Sequence, residues 1–163
     1  MLEPGDGKNI TGEVFVGYMN QDYNGFTMLP VSTWTAGGAL TWAATDNMTV
    51  TASGRREALE ASFTGGIIPN DGISVVESVA ILRADYRVME NVVVGGGISY
   101  IQDDYNLIPR TDDAWSPLAS VKYFINPTFT VGFDYRRVDF ESKGIGLPSY
   151  NRNVYLLSAN ARF

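Results

Sequence analysis

Tyr155-Leu-Leu-Ser-Ala-Asn-Ala-Arg-Phe163 is the last stretch of the chain, and its alternation decides how the rest is read. Tyr155, Leu157, Ala159, Ala161 and Phe163 fall on one face of an extended ribbon. Ser158, Asn160 and Arg162 fall on the other. A period of two with apolar and polar faces so separated fits a strand that meets lipid on one side and a polar interior on the other. Such a strand cannot leave backbone groups unpaired in hydrocarbon, so the sheet is expected to close on itself.

The same grammar runs back through seven earlier strands. They are expected near residues 9–21, 32–43, 48–59, 74–88, 91–102, 114–124 and 129–140, with the terminal strand near 152–163. In the seventh, Val138 and Phe140 break the parity set by Phe129, Val131, Phe133 and Tyr135. A bulge, or emergence from the membrane, accounts for that break. Connections alternate in length. Thr45-Asp46-Asn47, Met89-Glu90 and Asn126-Pro127-Thr128 are short turns, whereas Asp22–Val31, Glu60–Ile73, Asp103–Asp113 and Glu141–Asn151 are long links. The expected fold is therefore all-β: an eight-stranded antiparallel up-and-down transmembrane β-barrel, both termini on the short-turn, periplasmic side. Residues 1–8 form a flexible N-terminal segment and 9–163 the single barrel domain.

Composition agrees. In 163 residues no run nears the ~18–20 apolar residues of a membrane helix, and mean hydropathy is only -0.06. Barrel strands escape such scans because half of each is polar. A net charge of -6 and the lack of a basic stripe argue against nucleic acid. Met1-Leu2-Glu3-Pro4 opens without a charged or apolar leader region, so a mature segment with an added start methionine is expected.

If the polar faces point inward, the lumen holds Glu13, Glu57, Glu77, Asp85 and Asp134 against Arg55, Arg83, Arg87, Lys122, Arg136, Arg152 and Arg162. Eight strands enclose a space that side chains just fill. Charges confined there must pair, so a plugged interior is expected, acting as internal scaffolding. In a wider barrel the same residues would line a water-filled channel. On the opposite face Trp34, Trp42, Tyr86, Tyr100, Trp115, Tyr123, Phe133, Tyr135 and Tyr155 are expected to form two aromatic girdles.

Catalysis finds little support. The chain has neither histidine nor cysteine, which removes the usual triads, Cys-His pairs and zinc sites. No cofactor or metal is expected. Asp103-Asp104 and Asp112-Asp113 flank Arg110 without the spacing or glycine of a calcium loop, and read as a solvated outer loop. Gly95-Gly96-Gly97 lies within a strand, where glycines relieve curvature or admit neighbouring side chains.

The final strand, with its terminal Phe163, resembles the carboxy-terminal signature of bacterial outer-membrane barrels. That resemblance implies that Tyr155, Leu157 and Phe163 are read by the barrel assembly machinery. Tyr100-Ile-Gln-Asp-Asp-Tyr105, Arg110-Thr-Asp-Asp113, Val121-Lys-Tyr123 and the strand from Asn151 to Phe163 are similar to the carboxy-terminal half of the putative β-barrel porin 2 family. So is Leu40 to Val50. The likeness runs from about Leu40 to Phe163 and implies an outer-membrane location, with lipid and lipopolysaccharide as surroundings. The members it resembles are larger barrels, often associated with exopolysaccharide export. Eight strands instead suggest a small or truncated relative. The first expectation is a filled scaffold, and the second a porin-like channel completed by a longer parent or by several copies.

Overall fold

The computed structural model describes residues 9–21, 31–61, 73–106, 109–144 and 148–162. The expected N-terminal segment 1–8, Phe163 and the greater part of the two links at 22–30 and 62–72 lie outside them. Eight strands follow in chain order: β1 (Ile10–Gln21), β2 (Val31–Thr45), β3 (Met48–Ala61), β4 (Ile73–Met89), β5 (Val92–Tyr105), β6 (Arg110–Phe124), β7 (Phe129–Gly144) and β8 (Tyr150–Ala161). Each pairs antiparallel with the next, giving one up-and-down sheet.

Short turns stand where the sequence places them. At the β6–β7 turn the Asn126 side-chain oxygen accepts from the amides of Thr128 (2.9 Å) and Phe129 (2.8 Å), a local bond that reverses the chain before Pro127 can disturb a ladder. The register shifts by one residue beside the other two turns, between Ala43 and Thr45 and between Arg87 and Met89. None occurs in β7. Trp115 faces Asp139 and Leu118 faces Arg136 in a single register, so the expected bulge near Arg137 is absent. Val138 and Phe140 instead turn to the polar face, where Val138 is buried and Phe140 stacks on Tyr150 at 4.9 Å between ring centres.

Two expected links are mostly strand. Asp103 lies opposite Asp112 and Gln102 opposite Asp113, while Glu141 and Lys143 extend β7 against β6. The solvated-loop reading of these acids is thereby corrected: Asp112 and Asp113 are buried. Dense charge lowers strand propensity, but hydrogen bonds between strands outweigh it here.

The larger correction concerns closure. Among the described residues no ladder joins β8 to β1, so the expected closed barrel is an open sheet with two free edges. Val14 on β1 and Leu157 on β8 are 91% and 80% exposed. Alternation along a strand specifies its two faces. It does not specify which strand meets the last one.

Exposure across the sheet is inverted relative to a water-soluble protein. On β6, Trp115 and Val121 of the apolar face are 49% and 44% exposed, while Ser116 and Ser120 of the polar face are 7% and 4%. Arg83 on β4 reaches over β5 to Ser120 on β6 (3.0 Å), so the sheet curls toward its polar side. A cavity of about 570 Å³ lies on that side, lined by Glu13, Phe15, Arg55, Glu77, Ile81 and Ile101 among others.

Candidate functional site

All twelve charged residues expected in the lumen project from the polar face, as the cross-strand registers require. The structure brings two groups of them together. Arg83 donates from Nε and Nη2 to the two oxygens of Asp85, each at 2.7 Å, and from Nη2 to Ser120. Arg55 on β3 lies 2.7 Å from Glu77 on β4 and 3.3 Å from Glu57. Among the described residues no ion pair within 4.0 Å joins Glu13, Arg87, Lys122, Asp134, Arg136, Arg152 or Arg162 to another group. Every pair forms between near neighbours on one wall and leaves the remaining cations open to what lies in front of it.

Sequence reasoning missed a third group. At the long-link end, Glu57, Glu77, Asp103 and Asp112 stand directly opposite one another across β3 to β6. Arg110 binds Asp112 through Nε (2.9 and 3.0 Å) and Nη2, and lies over the Tyr105 ring at 4.5 Å. Ser142 donates to the same carboxylate at 2.6 Å. Burial opposes ionisation of Asp112 most strongly, yet bonds from Arg110 and Ser142 outweigh it and hold its pKa below the usual carboxylate range. Assigning these residues to a loop hid the row. Because Gln102, Asp104, Thr111 and Asp113 are polar as well, no apolar alternation marked these stretches as strand.

Among the described residues no cation lies within ion-pair distance of Asp103, and the Arg110 charge offsets its neighbours only in part. Burial first, and then the Glu77 and Asp112 charges, push its pKa up to about 6. Carboxylates facing each other across strands repel. With the folded pKa raised above the unfolded one, the native state binds more protons between about pH 4 and 6. Stability therefore rises as pH falls through that window. Urea unfolding of the folded protein is expected to need more denaturant at pH 5 than at pH 7. Asp103→Asn should flatten the difference, and an unchanged pH profile in that variant would rule this assignment out.

The nine expected girdle residues all occupy the apolar face, and eight of them sort into two bands. Toward the long links stand Trp34, Tyr100, Trp115, Tyr135 and Tyr155, joined by Tyr18, which the sequence reading omitted. Trp42, Tyr86 and Tyr123 form the band at the short turns. Phe133 belongs to neither, for it sits midway, opposite Val121 and Leu157. The rings meet across strands, Tyr100 with Trp115 at 4.5 Å and Tyr135 with Tyr155 at 5.2 Å.

Hydroxyls of the long-link band point away from the sheet centre. Tyr100 donates to Asp113 (2.6 Å) and Tyr135 to Asn153 (2.9 Å), while Arg56 covers Trp34 at 4.9 Å. Beyond this band the apolar face turns charged, with an Arg137–Asp139 pair at 2.8 Å and Lys143–Asp113 at 3.0 Å.

The bands are not straight rows of the ladder. Straight across from Trp42, through Val50, lies Ala84, and Tyr86 stands two residues further on. Straight across from Tyr86, through Val94, lies Val121, and Tyr123 again stands two residues further on. One residue of stagger per strand, at ~3.3 Å rise and ~4.8 Å spacing, keeps the band level when strands tilt by about 35–40°. That is the tilt of strands in closed barrels.

Of the expected assembly signal, Tyr155 and Leu157 lie on the apolar face of β8, and Phe163 is outside the described residues. No curated protein and no solved structure matches this chain. The family described as Putative beta-barrel porin 2 matches residues 4–163, which extends the likeness noted from Leu40 back through β1. The chain belongs to that porin family.

Proposed function

We propose that this chain builds part of the wall of a water-filled porin-type channel in a bacterial outer membrane. The open sheet carries this reading, because an eight-stranded barrel filled by its own side chains would join β8 to β1. Charge pairs confined to one wall fit the same view, since each is satisfied without an opposite wall pressed against it.

The apolar face suits lipid. Eight residues separate Trp34 from Trp42 and Trp115 from Tyr123. That is about 26 Å along a strand and about 20 Å across a bilayer after tilting, near the ~25 Å apolar band of such barrels. Tyr and Trp at both borders, with the Tyr100 and Tyr135 hydroxyls of the long-link band bonded to polar residues, match the preference of these side chains for headgroup level. Lipopolysaccharide would then surround the charged strip beyond the long-link band, and the short turns and chain ends would face the periplasm. Assembly machinery reading the terminal strand completes the proposal.

Planar-bilayer recordings test it. Steady ohmic openings from the purified, folded protein are expected. Bilayers that stay silent while the protein migrates as a folded monomer would favour the filled scaffold instead.

A further inference from the structure

A channel wall with two free edges needs strands at both. Unpaired backbone groups cannot remain against hydrocarbon, where each costs several kcal/mol. We infer that the missing edge is a second copy of this chain, β8 of each copy pairing with β1 of the other in a sixteen-stranded barrel. This inference rests on the channel reading above.

The two edges fit one another in a definite register. The short-turn band advances two residues per hairpin, from Trp42 to Tyr86 to Tyr123. Carried one hairpin further it reaches Ala161, which lies two residues past Ala159, the residue straight across from Tyr123. One more identical step sets the partner's Trp42 level with its predecessors, and so places β8 against β1 with Tyr155 opposite Tyr18. Leu157 then faces Val16, and Ser158 faces Phe15.

Each juxtaposition repeats something already built into the sheet. Tyr155 with Tyr18 continues the long-link band as a cross-strand ring pair, like Tyr100 with Trp115. Leu157 and Val16 are both highly exposed on the apolar face, and each would cover part of the other. Ser158 leaves room for Phe15, as Gly37 does on the other flank, where a Cβ would overlap that ring. β1 starts on the short-turn side and β8 ends there, so the joint is antiparallel. A twofold rotation makes the two joints identical and closes the ring. Sixteen strands leave an aqueous passage where eight are filled by side chains.

Cysteine cross-linking tests this directly, because the chain has no cysteine of its own. Directly opposed residues have Cα atoms about 4.5–5.5 Å apart, within disulfide range. Protein carrying Val16→Cys would be refolded together with protein carrying Leu157→Cys, and oxidised once folded. A covalent dimer of twice the 17.8 kDa chain is expected. Its yield should exceed at least ten-fold that of the shifted pair Val14→Cys with Leu157→Cys. The double variant Val16→Cys/Leu157→Cys should likewise link between chains.

An intrachain disulfide in that double variant, with silent bilayers, overturns both this inference and the channel reading. No disulfide in either format, with channel openings intact, overturns the second copy alone and assigns the edges to other strands. A heat-modifiable gel shift of each variant establishes that it has folded.

Discussion

Leu82→Arg will cost about 2–4 kcal/mol of folding stability in a bilayer, while Ile81→Arg will cost less than about 1 kcal/mol. The two residues adjoin in β4, and both are large, apolar and exposed, at 51% and 40%. No hydropathy scale separates them. Only the face does. Leu82 lies between Ala52 and Ile98 on the apolar side, four residues from Tyr86 and so near the middle of the band between the aromatics. A guanidinium there must be held in hydrocarbon or drag water inward. Ile81 lies between Ser53 and Ser99 on the polar side, where it lines the cavity. An arginine in that position extends into water. Urea titration in lipid vesicles, followed by tryptophan fluorescence, measures both. Equal costs would mean either that the faces are misassigned or that the interior is as dry as the exterior.

How much of this was legible in the chain depends on which feature is asked about. The period of two in Trp34 to Trp42, or Val121 to Tyr123, sufficed for eight strands, their order and their faces, because each strand carries that information locally. Val138 and Phe140 misled because apolar residues were assigned to one face throughout. Near the long links the sheet reverses that habit, burying Val138 on the polar side and presenting Arg137 and Asp139 on the other. Arg110 and Asp112 keep to the polar face and were hidden for another reason, since their charges looked like loop although their bonds to each other hold a strand end. Closure was not legible. Whether β8 meets β1 of its own chain depends on a register accumulated over every strand, and no local pattern encodes it. The stagger of the aromatics does encode the tilt, but only after the ladders fix which residue faces which.

Gly97→Ala will destabilise the sheet by about 1–3 kcal/mol, and Gly95→Ala will act mainly on the channel. Both glycines face the polar side of β5, and the difference lies in what a Cβ would meet. At Gly97 it would come within 2.5 Å of the Leu82 carbonyl oxygen and 3.1 Å of the Arg83 Cα. Those are backbone atoms of the neighbouring strand and cannot swing aside, so the ladder itself must open. At Gly95 it would strike the Asp85 carboxylate, the Ser120 hydroxyl (2.6 Å) and the Arg83 guanidinium (2.8 Å). These are side-chain ends. Gly95 is the gap through which Arg83 crosses β5 to reach Ser120, and filling it breaks that link. The freed guanidinium then projects from the wall, which should lower single-channel conductance and shift selectivity toward anions while leaving the urea midpoint close to wild type. A large loss of stability in Gly95→Ala with unaltered conductance would show that the Arg83 crossing holds the sheet together and has no part in lining the path.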